Sequence, residues 1–247
     1  MRLARLEMSV PAGDGLILKG TLTYPEGNPG SVFPLAVLAH QYPATRDCFS
    51  PLVDDLLKEG VATLAFDQRG HGASIASPGG PVVIDTPAGL GLAALGAAFM
   101  GSVEKVGFAR IDNDILRVAS WGASQNFVDP SRLVLVGGSV GGSGVLLAAP
   151  EIPGLRAVAT LGAAGALAFG ADGPARIRSS VERVQAAFYL ASSQNDPFDG
   201  AKNVETWSRG VARAQARIVP GAGHAMAIYF DVREELLAVL RKALQLS

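Results

Sequence analysis

Runs of apolar residues divide the chain into segments of strand and helix length. The first two runs, Leu3 to Val10 and Leu16 to Thr23, are strand-like, and the Asp14-Gly15 pair between them is typical of a hairpin turn. The next run, Phe33 to Ala39, is almost entirely apolar, as in strands that are buried on both faces of a parallel sheet. The pattern therefore predicts an antiparallel pair followed by a first parallel strand.

Strands and helices alternate from there to the end of the chain. Apolar runs of strand length are followed by segments with helical periodicity. The predicted strands are 61–66, 132–136, 157–161, 187–191 and 216–219, and the predicted helices are 47–59, 112–121, the segment from the glycine-rich turn through 149, and 229–246. This order is typical of an α/β fold with a mostly parallel sheet, helices on both faces and the antiparallel pair at one edge.

Residues 75–110 do not fit the alternation. The segment is long, rich in Gly, Ala and Pro, and apolar in its second half. Long irregular insertions in compact domains are often lids or binding loops. A surface excursion with one buried helix would have the same composition, so both interpretations stay open at this point.

The composition indicates a folded protein. Apolar residues make up 49% of the 247 positions and charged residues 17%, which excludes a disordered chain. We expect a single domain over residues 1–247, an ordinary length for an α/β domain. The formal net charge is -1, without a cluster of Lys and Arg, so a nucleic-acid partner has no electrostatic support.

The few cysteines and histidines give no basis for a metal site. Cys48 is the single cysteine, which excludes an intramolecular disulfide and a cysteine-based zinc site, and the three histidines are scattered. The N-terminal residues lack the apolar core of a signal peptide, and the most apolar stretch, 90–100, is shorter than the ~20 residues that span a bilayer. We expect a soluble, cytoplasmic protein without stable membrane insertion, metal or organic cofactor, and leave its oligomeric state open.

A candidate nucleophile lies in Gly137-Gly-Ser-Val-Gly141, which matches the pattern G-x-S-x-G. The match alone is weak because the chain contains 30 glycines, but its context is specific. An apolar strand runs into the motif and a helix of small residues follows, so the turn would present the hydroxyl of Ser139 above the carboxyl edge of the sheet. The helix N-terminus would then offer free N–H groups to developing negative charge.

A serine hydroxyl needs a neighbouring base to become a nucleophile. Of His40, His71 and His224, the last lies in a turn-rich loop between the last predicted strand and the closing helix. Loops at strand ends carry chemistry because a rigid scaffold positions them. We therefore predict that His224 is the base.

The acid that orients this base is expected in the loop after the strand 187–191. Asp196 and Asp199 both qualify. Asp196 comes first and is followed by a proline, whereas Asp199 is placed to cap a helix that begins near Ala201. We favour Asp196; Asp172 and Asp231 lie away from the required strand end.

With Ser139, Asp196 and His224 in this order, the chain resembles the α/β-hydrolase superfamily. It is most similar to small esterases of the monoacylglycerol-lipase-like and dienelactone-hydrolase-like types. The resemblance covers nearly the whole chain and includes Asp67-Gln-Arg-Gly-His-Gly-Ala-Ser74, which is similar to the family's D-x-R-G-H-G-x-S stretch.

The resemblance also assigns supporting residues. It implies that Asp67 and Arg69 hold a loop and that His71 is structural. It implies an oxyanion hole made of two backbone N–H groups, one from Val140 and one from Tyr42.

The oxyanion loop departs from the family pattern at one position. Relatives have His-Gly-x where this chain has His40-Gln41-Tyr42. Gln41 replaces the usual glycine, which leaves Gln41 as a second candidate donor. We interpret His40 as a hydrogen-bonded anchor of this loop.

These residues predict a serine carboxylesterase that hydrolyses small-molecule esters through an acyl-enzyme on Ser139. A thioesterase or a small-peptide hydrolase would use the same triad, and a ligand receptor without catalysis is the alternative from another class. Epoxide hydrolases and haloalkane dehalogenases are disfavoured because those relatives carry Asp at the position of Ser139. Candidate pocket residues are Tyr42, Phe99, Met100, Trp121, Phe198 and Met226.

Overall fold

A computed structural model describes residues 2–27 and 30–246. Within these residues one eight-stranded sheet has the order β1-β2-β4-β3-β5-β6-β7-β8. The strands are β1 (Leu3–Pro11), β2 (Ile17–Pro25), β3 (Phe33–Ala39), β4 (Ala62–Asp67), β5 (Val128–Gly138), β6 (Leu155–Leu161), β7 (Ala187–Ser193) and β8 (Ala214–Val219). The first two strands are antiparallel to their neighbours and the remaining pairs are parallel. The predicted α/β class with an antiparallel edge is confirmed.

Two apolar layers cover the faces of the sheet. Successive residues of β3 alternate between them, with Leu35 and Val37 in one layer and Ala36 and Leu38 in the other, because side chains of a strand point to opposite faces. The helices are α1 (Ser50–Lys58), α2 (Leu92–Ser102), α3 (Ile111–Ala123), α4 (Ser139–Ala148), α5 (Gly173–Arg183), α6 (Gly200–Ser208) and α7 (Tyr229–Leu244). Helices α3 to α6 pack in the first layer, and α1 and α7 in the second.

Two predicted boundaries shift by three residues or more. Strand β5 begins at Val128 rather than at residue 132, because Val128 pairs with Phe33 across an irregularity in the register. The predicted helix 47–59 begins instead with a separate 3-10 turn, Arg46–Phe49, and the α-helix follows it.

Two helices differ from their sequence interpretation. Helix α5 was not predicted, since its mostly polar sequence has only Ile177 and Val181 as buried large apolar residues. Helix α2 forms inside the insertion but buries only Ala98 and Ser102. The excursion therefore contains a partly exposed helix rather than the buried helix of one of the two interpretations.

By length and composition, the helical run Leu92–Ala123 could cross a membrane, and it is the one such run among the described residues. It is longer than the apolar stretch 90–100, which is too short to span a bilayer. The run is broken at Gly107, whose φ is +77°, and its second half, α3, packs in the core through Ile111, Ile115 and Val118.

A buried ion pair joins the loop after β4 to helix α3. Arg69 donates from Nε and Nη2 to the two carboxylate oxygens of Asp114, at 2.6 and 2.9 Å, and both side chains are about 1% exposed. Burial opposes the charge on Arg69, but the hydrogen bonds and charge of Asp114, together with Asp14, outweigh it and raise the pKa of the guanidinium. The resemblance implied that Arg69 holds a loop, and these contacts do so.

A buried histidine pair fixes the loop that follows β3. His40 Nδ1 lies 2.9 Å from the Gln41 carbonyl, and its Nε2 lies 2.9 Å from the Gln68 amide nitrogen. The carbonyl can only accept and the amide can only donate, so the Nδ1 carries the ring proton. Burial, together with the neighbouring His71 ring at 4.9 Å, lowers the pKa of His40 to about 3. Burial also lowers the pKa of His71, whose Nδ1 contacts the Arg69 carbonyl at 2.9 Å.

Replacing Asp114 by alanine should reduce the free energy of unfolding by about 3–5 kcal/mol, because the buried Arg69 would lose its counter-charge. Urea denaturation measures the change. The matched control is Asp129→Ala, which breaks the partly exposed pair with Arg132 and should cost no more than about 1 kcal/mol. Equal losses in the two variants would contradict the assignment.

The unfolding free energy of the wild type should fall as the pH drops below about 6.5, the value at which an unfolded histidine binds a proton. The folded state resists protonation of His40 until about pH 3, so protons favour the unfolded chain throughout this interval. Each such histidine contributes up to about 1.4 kcal/mol per pH unit. Urea denaturation from pH 6.5 to 4.5 should give a shallower slope for His40→Gln than for the wild type; parallel slopes would refute the assignment.

Candidate active site

The carboxyl ends of the parallel strands gather the candidate residues at one edge of the sheet. The loop after β3 holds Tyr42, the turn after β5 holds Ser139, and the loops after β7 and β8 hold Asp196 and His224. Residues about 180 positions apart in the sequence thereby meet, as expected for an open α/β sheet.

Ser139 lies at a strained turn between β5 and α4. Its φ is +50°, a left-handed conformation that is uncommon for residues other than glycine. The turn is tight because a Cβ at Gly137 would overlap the carbonyl of Gly141, and a Cβ at Gly141 would overlap the carbonyl of Ala39. The glycines of the motif are therefore needed for close backbone packing around the serine.

His224 and Asp196 form a direct pair. His224 Nδ1 lies 2.8 Å from Asp196 Oδ2 and 3.0 Å from Oδ1. The carboxylate also accepts hydrogen bonds from the Ser192 hydroxyl at 3.0 Å and the Phe198 amide at 2.9 Å, and the Asp196 side chain is fully buried. Burial by itself would raise the pKa of Asp196, but these hydrogen bonds and the imidazole outweigh it and lower the pKa.

The ionised carboxylate determines which ring nitrogen of His224 is free. A carboxylate only accepts, so the proton of the neutral imidazole lies on Nδ1 and Nε2 is left as a base. The ring is held in place by Phe198, whose centroid lies 4.6 Å away in an edge-on arrangement. This geometry suits an imidazole that takes up and returns a proton.

Asp199 does not contact His224. It occupies the N-cap position of α6, as expected, with a φ of +61°, but its side chain makes no capping hydrogen bond. The choice of Asp196 over Asp199 therefore agrees with the hydrogen bonds, whereas the expected side-chain cap is not formed.

Three residues that support the Asp196–His224 pair were not predicted from the sequence. Ser192 bonds to Asp196, and glycines at 162 and 200 let the backbone pass close by. A Cβ at Gly162 would lie 2.8 Å from Asp196 Oδ2 and 3.0 Å from His224 Nδ1. A Cβ at Gly200 would lie 2.6 Å from the same carboxylate oxygen. The available signal was the position of two of these small residues at strand ends: Gly162 directly follows β6, and Ser192 is the last residue but one of β7, whereas Gly200 begins α6.

Ser139 and His224 face one apolar cavity of about 200 Å³. Its other walls are Tyr42, Leu95, Gly96, Phe99, Met100, Ala164, Gly165 and Phe198. Four of the six predicted pocket residues are among them. Trp121 and Met226 are not; they pack instead against the two core layers.

The insertion supplies one wall of this cavity. Leu95, Phe99 and Met100 of α2 cover it, so residues 75–110 act as a cover in this structure. The Tyr42 hydroxyl fastens the insertion by donating to the Asp85 carbonyl at 2.7 Å.

Two backbone N–H groups are candidates for an oxyanion hole. Val140 is the second residue of α4, and the first N–H groups of a helix have no partner within it. The Gln41 carbonyl accepts from His40 and from the Ala44 amide at 2.9 Å. Because the N–H of a trans peptide points opposite to its carbonyl, the Tyr42 N–H points away from these partners, and Tyr42 also lines the cavity.

The Gln41 side chain fills the space that a glycine would leave in the oxyanion loop. Its Oε1 accepts a hydrogen bond from Cys48 Sγ at 3.4 Å, and it would lie 3.1 Å from a Cβ at Gly138. The residue that departs from the family pattern is thus packed against the serine turn.

The end of β4 and the residue after it form hydrogen bonds to the segment that follows β3. Asp67 accepts from the amides of Arg46 and Ala73, both at 2.9 Å, and the Gln68 side-chain amide donates to the His40 carbonyl. These contacts agree with the loop-holding role that the resemblance implied for Asp67. Among the described residues, no group of three His, Cys, Asp or Glu side chains is arranged to hold a metal ion.

Solved structures with the same fold include hydrolases from several bacteria. A putative dienelactone hydrolase from Klebsiella pneumoniae is 21% identical, with a TM-score of 0.69 over 98% of this chain and 100% of its own. A dienelactone hydrolase-like promiscuous phosphotriesterase from metagenomic libraries is 18% identical, with a TM-score of 0.70 over 100% and 99%. An acetyl xylan esterase from Paenibacillus sp. R4 is 18% identical, with a TM-score of 0.68 over 97% and 84%.

A curated relative also aligns with the sequence. It is an uncharacterized 31.7 kDa protein from the traX-finO intergenic region of Escherichia coli, 27% identical over 173 residues, which are 70% of this chain. The chain spans about half (49%) of the length of that relative.

The family model described as alpha/beta hydrolase fold matches residues 34–182, more than half of the chain. The match contains the turn at Ser139 and the segment that begins at Asp67. This protein therefore belongs to the α/β-hydrolase fold family.

Proposed function

We propose that this protein is a serine carboxylesterase that hydrolyses esters through an acyl-enzyme on Ser139. The observation that carries the proposal is the Asp196–His224 pair, whose imidazole faces the same apolar cavity as a serine held at a strained turn. An imidazole whose Nδ1 proton is committed to a carboxylate is a general base at Nε2.

The proposed reaction has two steps. His224 takes the Ser139 proton while Oγ attacks the ester carbonyl carbon, and the N–H groups of Val140 and Tyr42 stabilise the oxyanion. The bond to the alcohol oxygen breaks as His224 returns the proton to that oxygen. Water then attacks the acyl-enzyme in the same way, releases the acid and restores the serine hydroxyl.

The cavity walls favour a neutral substrate. Apart from His224, the residues that line the cavity carry no ionisable acid or base other than the tyrosine phenol, whose hydroxyl is bonded to Asp85. A buried charge on the substrate would lack a partner there. Structural similarity to a dienelactone hydrolase and an acetyl xylan esterase supports an ester as the substrate class.

Replacing Ser139 by alanine should lower kcat/KM for chromogenic esters by at least about a thousandfold, because the nucleophile is lost. The assay uses esters of increasing acyl length beside a thioester and an aminoacyl amide. Ser124→Ala, at an exposed serine bonded to the Trp121 carbonyl, should retain wild-type activity.

The same substrates separate the alternatives. A wild type that prefers the thioester or the amide would replace the carboxylesterase assignment by a thioesterase or a small-peptide hydrolase. A wild type that binds these compounds without turnover, with unchanged affinity in Ser139→Ala, would be a receptor and would refute the proposal.

Asp196→Asn should lower kcat by about 10⁴-fold, since the neutral amide would no longer select the Nδ1-protonated form of His224. Asp199→Asn is the matched control, and it should lose less than about tenfold because Asp199 does not contact the imidazole. Steady-state kinetics with one short ester compares the two variants. A larger loss of kcat in Asp199→Asn than in Asp196→Asn would show that Asp196 is not the acid.

A further inference from the structure

A second cavity adjoins the one that contains Ser139. It measures about 630 Å³, against about 200 Å³ for the first. Both cavities are bounded by Phe99, Met100, Gly165 and Phe198. The first cavity is small for a ligand site, whereas the second lies in the usual range of 300–1,000 Å³. We call the second cavity the side groove.

The walls of the side groove are mainly apolar. They include Val103 from the insertion, Leu167 from the turn after β6, and two prolines, Pro174 and Pro197. Asp199 is the one charged residue that lines it in the described part of the chain. A neutral aliphatic group therefore fits these walls, whereas an anionic group would meet a carboxylate and no cation.

A glycine lies where the two cavities adjoin. Gly165 has a φ of +71°, and a Cβ there would lie 3.1 Å from the Phe99 ring and 3.7 Å from Val140. A larger residue would push against Phe99 at the passage. The absence of a side chain at this position lets a substrate extend from Ser139 into the side groove.

The sheet order places the side groove on the imidazole side of the nucleophile. Strand β3, which carries the oxyanion loop, borders β5 on one side, and β6, β7 and β8 lie on the other. The groove is lined by residues 165–168, after β6, and by residues 197–199 and 203, after β7. The leaving alcohol must lie near His224, because this imidazole protonates its oxygen.

We propose that the side groove binds the alcohol part of the substrate, which would be an ester of a neutral aliphatic alcohol of several carbons. This proposal rests on the proposed esterase function. Phe99 and Phe198 lie between the two cavities. The shorter acyl part of the substrate occupies the cavity beside Tyr42.

Two ester series test which part enters the side groove. Acetate esters from ethyl to hexyl vary the alcohol, and p-nitrophenyl esters from acetate to hexanoate vary the acyl group. Burial of a methylene in a partly open apolar groove raises kcat/KM by about twofold to fourfold, so activity should rise along the alcohol series.

Leu167→Asp should lower the hexyl-to-ethyl ratio of kcat/KM about tenfold and leave the dependence on acyl length as in the wild type. Leu167 is 70% exposed, so the charge is placed without disturbing the core. Val103→Asn provides a second change in the groove and should lower the same ratio. Leu90→Asp is the matched control, because this fully exposed leucine of the insertion lines neither cavity.

The outcomes separate the two proposals. Ester turnover by the wild type that does not depend on alcohol length would overturn the groove assignment and leave the esterase standing. A dependence on acyl length that differs between the wild type and the Leu167 and Val103 variants would do the same. Equal effects of Leu90→Asp and Leu167→Asp would also overturn it. No turnover of any ester by the wild type would overturn both.

Discussion

The tight turn between β5 and α4 is the constraint on which the rest of the site depends. It forces Ser139 into a left-handed backbone conformation, and it is held because α4 packs closely enough against β3 and β5 that glycines are required. Strain of this kind persists only where the surroundings over-determine it. The parallel sheet supplies those surroundings, since strand β5 fixes one end of the turn and α4, packed against β3 and β5, fixes the other.

Opposite electrostatic environments separate the two kinds of histidine at this edge of the sheet. His40 and His71 are buried without a carboxylate at hydrogen-bond distance, and burial lowers the pKa of both, so they stay neutral and serve as hydrogen-bonding anchors. His224 lies beside a carboxylate that is kept ionised by three donors. The same residue type therefore fixes the oxyanion loop at one place and is available for proton transfer at another.

The insertion links the shape of the site to its substrate. Helix α2 contains no charged residue and is partly exposed, with Leu92 at 56% and Met100 at 66% exposure. Its inner face closes the cavity over Ser139 and one wall of the side groove. In the proposed reaction, charge develops on the substrate, and an apolar cover of this kind would exclude water from it and strengthen the hydrogen bonds inside.

Apolar runs, a glycine-rich bend and a histidine after the last strand are local features, so they predict most of the strands and helices in order, the serine turn and a candidate base. Helix α5 escapes them because it has few apolar residues. The sequence also favoured Asp196 from its position after β7. The tertiary structure settles which apolar residues surround the serine, since Trp121, Met226 and Phe99 all pack against a core layer, but of these three only Phe99 also lines the cavity with Ser139. It likewise settles the path of residues 75–110 and the need for Gly162 and Gly200. These features depend on contacts between residues that are distant in the sequence, and the local pattern of apolar positions does not indicate such contacts.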